Sequence, residues 1–97
     1  MFVTLVIRNE AADDLDRIYD WICKNNMSAA IRVVRALRKR MNDILLPQLV
    51  HSGRPGRVRG TRELVEPPYI IVYEVDEKKW SVTILAVTHG ALIAASR

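Results

Sequence analysis

Hydrophobic residues recur every three or four positions along two consecutive stretches of the chain, and this spacing predicts two amphipathic α-helices. Acidic residues crowd the start of the first stretch, where Asn9 is the predicted N-cap, and Ser28 is the predicted N-cap of the second. Pro47 ends the second helix, because proline has no backbone N–H to donate. The predicted buried faces consist of Ala11, Leu15, Ile18 and Ile22 in the first helix and Ala30, Val34, Leu37, Met41 and Ile44 in the second.

Four segments rich in β-branched and apolar residues predict β-strands, at residues 2–8, 62–66, 69–75 and 80–87. Residues 76–79 form the turn of a hairpin between the last two strands. These two strands carry almost no polar residue, so we expect helices on one face and cover on the other. The prediction is an α+β fold of order β-α-α-β-β-β, with a helical hairpin packed on a mostly antiparallel four-stranded sheet.

Composition narrows the class of protein further. A chain of 97 residues with 49% hydrophobic and 27% charged residues is typical of one globular domain, predicted here over residues 1–97. Cys23 is the lone cysteine, so no internal disulfide forms, and this favours a reducing cytoplasm. No apolar run approaches the roughly 20 residues that span a bilayer. His51, His89 and Cys23 lack the spacing of a zinc site, so we expect neither metal nor cofactor.

Positive charge is concentrated between residues 32 and 62, which include nine basic residues and one acidic residue. Eleven of the fifteen basic residues of the chain are arginines, whose planar guanidinium suits phosphate and carboxylate. Within this stretch Arg32, Arg35 and Lys39 lie opposite the apolar face of the second helix. The charge predicts an acidic partner, either nucleic acid or protein, although a solvated basic surface is the alternative.

The segment from Gly53 to Leu64 is the most distinctive of the chain and lies in a predicted irregular basic loop at residues 48–60. Its glycines and proline restrict the path of the backbone, from which the arginines project. One interpretation is a preorganised anion-binding loop. The other is a structural turn in which Arg62 pairs with Glu63 or Glu66.

Two further side chains have both a chemical and a structural interpretation. His89 follows the last strand, where it either exchanges protons near neutral pH or serves as a turn residue bonded to backbone. Tyr73 lies in the middle of a strand, where it either packs in the core or contacts a target. Both interpretations stay open at this point.

The segment GRPGRVRGTRELVEPPYIIVYEV, followed by ILAVTHGA, resembles the RelE/ParE family of bacterial toxins. The helical part AADDLDRIYDWICKNNMSAAIRVVRAL is similar to the same family, so the resemblance covers residues 9–91. It implies the toxin of a type II toxin–antitoxin pair, without a cofactor, neutralised by an antitoxin that wraps the toxin with extended and helical segments. It also implies that promoter DNA is contacted only through the antitoxin.

The family has two activities, because RelE-like members cleave mRNA on the ribosome and ParE-like members poison DNA gyrase. RelE-like nucleases carry cations at positions that the resemblance places at Leu64, Ile70 and Gly90 here. The resemblance therefore favours a gyrase inhibitor. Many ParE-like members read His-Gly-Ala-Arg after the last strand, where this chain has Leu92.

Candidate residues follow for each function. A ribosome-dependent endoribonuclease, the alternative activity, would use Arg59, Arg62 and His89. A degenerate, non-toxic family member is the third possibility. Target-binding candidates are Arg54, Arg57, Arg59, Arg62, Tyr73 and His89, and antitoxin-binding candidates are Arg32, Arg35, Lys39, Leu92 and Ile93.

Overall fold

Two helices pack on one face of a five-stranded sheet in the computed structural model, which describes residues 3–90. The sheet order is β1-β5-β4-β3-β2; β1 is parallel to β5, and all other neighbours are antiparallel. The predicted α+β class and helical hairpin are confirmed. The elements are β1 (Thr4–Ile7), α1 (Asn9–Cys23), α2 (Met27–Asp43), β2 (Arg54–Pro55), β3 (Arg62–Glu66), β4 (Tyr69–Asp76) and β5 (Ser81–His89).

The sheet has one strand more than the four predicted. Arg54 and Pro55 form the short edge strand β2, with Arg54 opposite Glu63 and Pro55 opposite Arg62. Two residues are too few to show a strand periodicity, and this segment was predicted as irregular loop. Proline is tolerated there because an edge strand needs no N–H on its outer side.

The helices begin at different residues from those predicted. Asn9 is the first residue of α1, and Arg8 occupies the N-cap without a side-chain hydrogen bond. In α2 the cap is Asn26, whose Oδ1 accepts a hydrogen bond from Ala29 N at 3.0 Å. Ser28 lies inside the helix. An N-cap residue needs extended backbone immediately before the helix, and Asn26 has it.

The core lies between the helical hairpin and the sheet, as the apolar periodicity predicts. Leu37 and Met41 are fully buried, and Leu15 of α1 is 2% exposed. The sheet contributes Ile71 and Ile84, both without exposed surface. The predicted buried residues Ile18, Ile22 and Val34 are half-buried at the borders of the two helical faces.

A β-bulge in the central hairpin connects the sheet to α1. Val72 pairs with Ala86 and Tyr73 pairs with Ile84, so Leu85 is the extra residue of β5. Beyond it, Val87 N donates a 2.9 Å hydrogen bond to Asp14 Oδ2. This bond joins residues 73 positions apart and fixes α1 on the sheet.

Asp14→Ala is expected to lower the free energy of unfolding by about 1–2 kcal/mol, because the part-buried Val87 N–H loses its acceptor. Asp14 also contacts Arg17, but that arginine is exposed and its pair with Asp14 contributes little. Asp13→Ala is the matched control, since Asp13 is exposed. Urea denaturation measures both variants, and equal losses would show that the bond to Val87 contributes nothing.

Candidate functional site

The basic segment at residues 54–62 forms a small β-hairpin, which we call the arginine hairpin. Its turn is closed by hydrogen bonds from Gly56 N to Thr61 O at 2.8 Å and from Thr61 N to Val58 O at 3.1 Å. The Thr61 hydroxyl donates to the same Val58 carbonyl at 2.6 Å. Gly60 has a φ of 87°, a left-handed conformation that favours glycine. The backbone of the hairpin is therefore ordered by its own contacts.

Glu63 holds the base of the arginine hairpin. Its side chain is 5% exposed, and Oε1 accepts a hydrogen bond from Arg54 Nε at 3.1 Å and lies 3.0 Å from Arg54 Nη2 in an ion pair. Oε2 accepts from the backbone N–H of Arg57 at 3.3 Å. A buried carboxylate needs such partners, because leaving it unpaired would cost several kcal/mol. Arg54 and Glu63 thus have a structural role.

Arg62 ties the hairpin to the preceding chain. Its Nη1 donates to the carbonyl oxygens of His51 at 3.0 Å and Gly53 at 2.8 Å. The predicted pairing of Arg62 with Glu63 or Glu66 is wrong. Adjacent residues of a strand point to opposite faces, so Arg62 and Glu63 cannot meet, and the carboxylate pairs with Arg54 instead.

Tyr73 has no exposed surface and fastens residues 50–53 to the sheet. Its hydroxyl donates to Val50 O at 2.8 Å and accepts from Gly53 N at 3.0 Å. Burial raises the pKa of Tyr73 above its usual value, against the opposing effects of the Gly53 hydrogen bond and nearby Arg62. The Tyr73 side chain is therefore inaccessible to a target, and its contacts are those of a core residue.

The tip of the arginine hairpin is its accessible part. Arg57, Val58 and Arg59 are all exposed, and Val58 has 68% of its surface in contact with solvent. The predicted loop arginines therefore differ in position, since Arg54 and Arg62 lie at the base of the hairpin and Arg57 and Arg59 lie at its exposed tip. Val58 is missing from the sequence-derived candidates, although its place between two arginines in a glycine- and proline-rich segment is a usable signal.

His89 lies at the other end of the sheet. Its half-buried ring packs edge-on against the Tyr69 ring, with centroids 5.6 Å apart. The register places Tyr69 opposite His89 and Tyr73 opposite Arg62. Four positions along a strand and two spacings between strands separate Arg62 from His89, which is about 16 Å between Cα atoms. The structure does not bring the nuclease candidates together.

The antitoxin-binding candidates of α2 lie on its solvent side. Arg32, Arg35 and Lys39 are exposed, and Lys39 Nζ lies 3.1 Å from Asp43 Oδ2. Leu92 and Ile93 lie outside the described residues. The basic face predicted for α2 is present at the three described positions.

Residues 3–90 contain neither a metal-binding cluster nor a membrane-spanning helix. No group of three or more histidine, cysteine, aspartate or glutamate side chains is arranged to hold a metal ion in this part of the chain. Neither described helix has the length and apolar character needed to cross a membrane. Cys23 is half-buried and unpaired with another cysteine.

Solved structures that share this fold identify the class of protein to which the fold belongs. A chain of the chromosomal ParDE toxin–antitoxin system from P. aeruginosa is 26% identical, with a TM-score of 0.77 over 90% of this chain and 95% of that one. A chain of the toxin–antitoxin complex RelBE2 from Mycobacterium tuberculosis is 23% identical, with a TM-score of 0.69 over 92% and 99%. A mutant of the E. coli toxin RelE in the free state is 15% identical, with a TM-score of 0.67 over 99% and 92%. The fold is therefore that of RelE/ParE-like toxins.

Sequence comparison identifies the branch of the RelE/ParE family to which the chain belongs. A model of the family described as "ParE toxin of type II toxin-antitoxin system, parDE" matches residues 5–93. A Sinorhizobium fredii (strain NBRC 101917 / NGR234) protein named "Putative toxin Y4kP" is 42% identical over 78 residues, covering 78% of this chain and 76% of that protein. The chain belongs to the ParE toxin family of type II toxin–antitoxin systems. The RelE/ParE resemblance seen in the sequence is confirmed on its ParE side.

Proposed function

We propose that this toxin binds and poisons DNA gyrase, that a cognate antitoxin neutralises it, and that it does not cleave RNA. The observation that carries the proposal is the separation of the nuclease candidates. Arg62 is bonded to two backbone carbonyls at one end of β3, and His89 packs on Tyr69 at the other end of the sheet. Membership of the ParE family supports the same target.

RNA cleavage needs groups that converge on one phosphate. Attack by a 2′-OH requires a base, an acid and a cation within hydrogen-bond reach of the reacting atoms. At two positions where the resemblance expects cations, this chain has Leu64 and Ile70, which are 1% and 7% exposed. Each missing donor typically costs about 100–1000-fold in rate. These positions therefore offer apolar packing and no stabilisation of charge.

The cognate antitoxin is proposed from the same family membership and from the solved neighbours, which are toxin–antitoxin structures. We propose that it presents acidic side chains to Arg32, Arg35 and Lys39, which are exposed on α2. Strand β1 pairs with β5 on one side and is an edge of the sheet, where an extended antitoxin segment can add. Leu92 and Ile93 remain proposed antitoxin contacts, and promoter DNA is proposed to bind through the antitoxin.

Expression without the antitoxin is expected to trap cleaved gyrase–DNA complexes and induce the DNA damage response, while mRNA on translating ribosomes stays intact. Purified toxin should produce the same cleaved complexes with purified gyrase and plasmid. Catalytically inactive gyrase is the control, since it cannot cleave DNA.

Three results distinguish the alternatives. Site-specific cleavage of mRNA by the toxin on purified translating ribosomes would overturn the proposal in favour of the endoribonuclease, if His89→Gln abolishes the cleavage. Growth without any defect, from a toxin shown to be folded, would favour the degenerate member. Gyrase-dependent DNA cleavage alone supports the proposal.

A further inference from the structure

We infer that the tip of the arginine hairpin, residues 57–59, is a DNA-binding site. Arg57 and Arg59 bind phosphates on either side of a groove, and Val58 packs against the sugars and base edges between them. This inference rests on the proposed gyrase function and identifies the component that the hairpin contacts, which is the DNA segment held by the enzyme. It also restricts the contact to the tip, because Arg57, Val58 and Arg59 are exposed there, whereas Arg54 and Arg62 lie at the base of the hairpin.

The tip is ordered before any partner arrives. The hydrogen bonds between Gly56, Val58 and Thr61 close the turn, and the Arg57 N–H is held by Glu63. A preorganised loop loses less conformational freedom on binding than a flexible one does. The backbone from which the three side chains project is therefore held in one arrangement.

Positive charge dominates at the tip. The chain has no acidic residue between Asp43 and Glu63, and Glu63 is buried against Arg54. Acidic residues beyond the hairpin lie at the end of β4 and in the turn after it. Glu74 is exposed, Asp76 accepts hydrogen bonds from the backbone of the turn, and Glu77 Oε1 lies 2.6 Å from His51 Nε2. An anionic partner is thus attracted to the tip and repelled by the neighbouring turn. A narrow contact, such as entry into a groove, satisfies both conditions.

Val58 favours DNA over an acidic protein surface. Val58 is 68% exposed and lies between two arginines, so its isopropyl group enters a partner at the point midway between two anionic contacts. The minor groove has two rows of phosphate with sugar and base edges between them. Proteins that bind there combine arginines with an inserted apolar side chain. The Arg57-Val58-Arg59 tip has the same combination.

The test is fluorescence anisotropy of the full chain with an A·T-rich duplex of about 20 base pairs, because A-tracts have a narrow minor groove whose negative potential attracts arginine. Each phosphate contact contributes about 0.9 to the slope of log K against log salt. Replacing both Arg57 and Arg59 by glutamine is therefore expected to lower the slope by about 2 and the affinity in 0.1 M salt by about 60-fold. Val58→Ser is expected to weaken binding a few-fold without changing the slope, since it removes apolar contact alone.

A double variant, Arg8→Gln with Lys24→Gln, is the matched control, because it removes two exposed positive charges outside the hairpin. Equal losses in the two double variants would overturn the inference. Hairpin-dependent binding to DNA-free gyrase, with DNA affinity unchanged, would also overturn it and indicate an acidic protein contact.

The DNA-binding site and the proposed gyrase target can fail independently of each other. Hairpin-dependent DNA binding together with ribosomal mRNA cleavage would refute gyrase poisoning and keep the DNA site. Gyrase poisoning that survives replacement of Arg57, Val58 and Arg59 would refute the DNA site and keep the target.

Discussion

Gly53→Ala is expected to destabilise the toxin by about 3 kcal/mol, which combines overpacking with the loss of a buried hydrogen bond. A Cβ at Gly53 would lie 2.7 Å from Tyr73 Oη and 2.8 Å from Glu63 O. The Glu63 carbonyl belongs to β3 and cannot rotate away, so residues 50–53 must shift. That shift separates Gly53 N from the Tyr73 hydroxyl, which is its acceptor.

Urea denaturation of Gly53→Ala, Tyr73→Phe and the double variant forms a thermodynamic cycle. Tyr73→Phe alone is expected to cost about 1–3 kcal/mol, because Val50 O and Gly53 N both lose a buried partner. The alanine should cost less in the phenylalanine background, where the hydroxyl and its hydrogen bond to Gly53 N are already absent and only the contacts with the ring carbon Cε1 and Glu63 O, both at 2.8 Å, remain. Gly90→Ala is the control, since among residues 3–90 the atom nearest to its Cβ would be Pro68 O at 3.2 Å. Equal costs of Gly53→Ala in both backgrounds would contradict a clash with the hydroxyl.

The helices and long strands were predictable because local periodicity reports which face of an element is buried. The spacing of Leu37 and Met41 predicts the buried face of α2, and both are fully buried. Strand β3 has the predicted bounds, Arg62–Glu66, because Pro67 and Pro68 follow it directly. Such signals lie within a few residues of the element that they predict.

The partners of polar side chains were not predictable, because they depend on register between distant segments. Glu63 meets Arg54 only because β2 pairs with β3 in a register that places the two residues opposite each other. Asp14 meets Val87 only because a bulge displaces part of β5. The two-residue strand β2 has no periodicity of its own. The sequence therefore identified the arginines of the site without separating structural from accessible ones.

The fold does not determine the target of the toxin. ParDE, RelBE2 and RelE structures all share this fold, with TM-scores of 0.77, 0.69 and 0.67. Function on a shared fold depends on which side chains converge at one place. Here the register keeps Arg62 and His89 at opposite ends of the sheet, and only the assembled structure shows that separation.

Glu63→Ala is expected to lower the free energy of unfolding by about 2–3 kcal/mol, because the part-buried N–H of Arg57 and the Arg54 guanidinium lose their acceptor together. This loss is smaller than that for breaking a fully buried ion pair, because the Arg54 side chain is 54% exposed and water can solvate it. Urea denaturation measures the loss, with Glu74→Ala as the control on the exposed side of β4. Arg54→Gln completes a double-mutant cycle with Glu63→Ala. The coupling energy between the two side chains should exceed the change in free energy of unfolding that Glu74→Ala causes.

Glu63→Gln separates hairpin order from charge. This substitution removes one negative charge beside the arginine hairpin, so electrostatics alone would strengthen DNA binding. It also leaves one acceptor oxygen for the two groups that Glu63 holds, Arg54 and the Arg57 N–H, so the hairpin loses order. We expect faster hydrogen exchange at Arg57 N, faster tryptic cleavage after Arg57 and Arg59, and a several-fold loss of DNA affinity. Unchanged exchange with tighter DNA binding would show that Glu63 acts through its charge and does not position the tip.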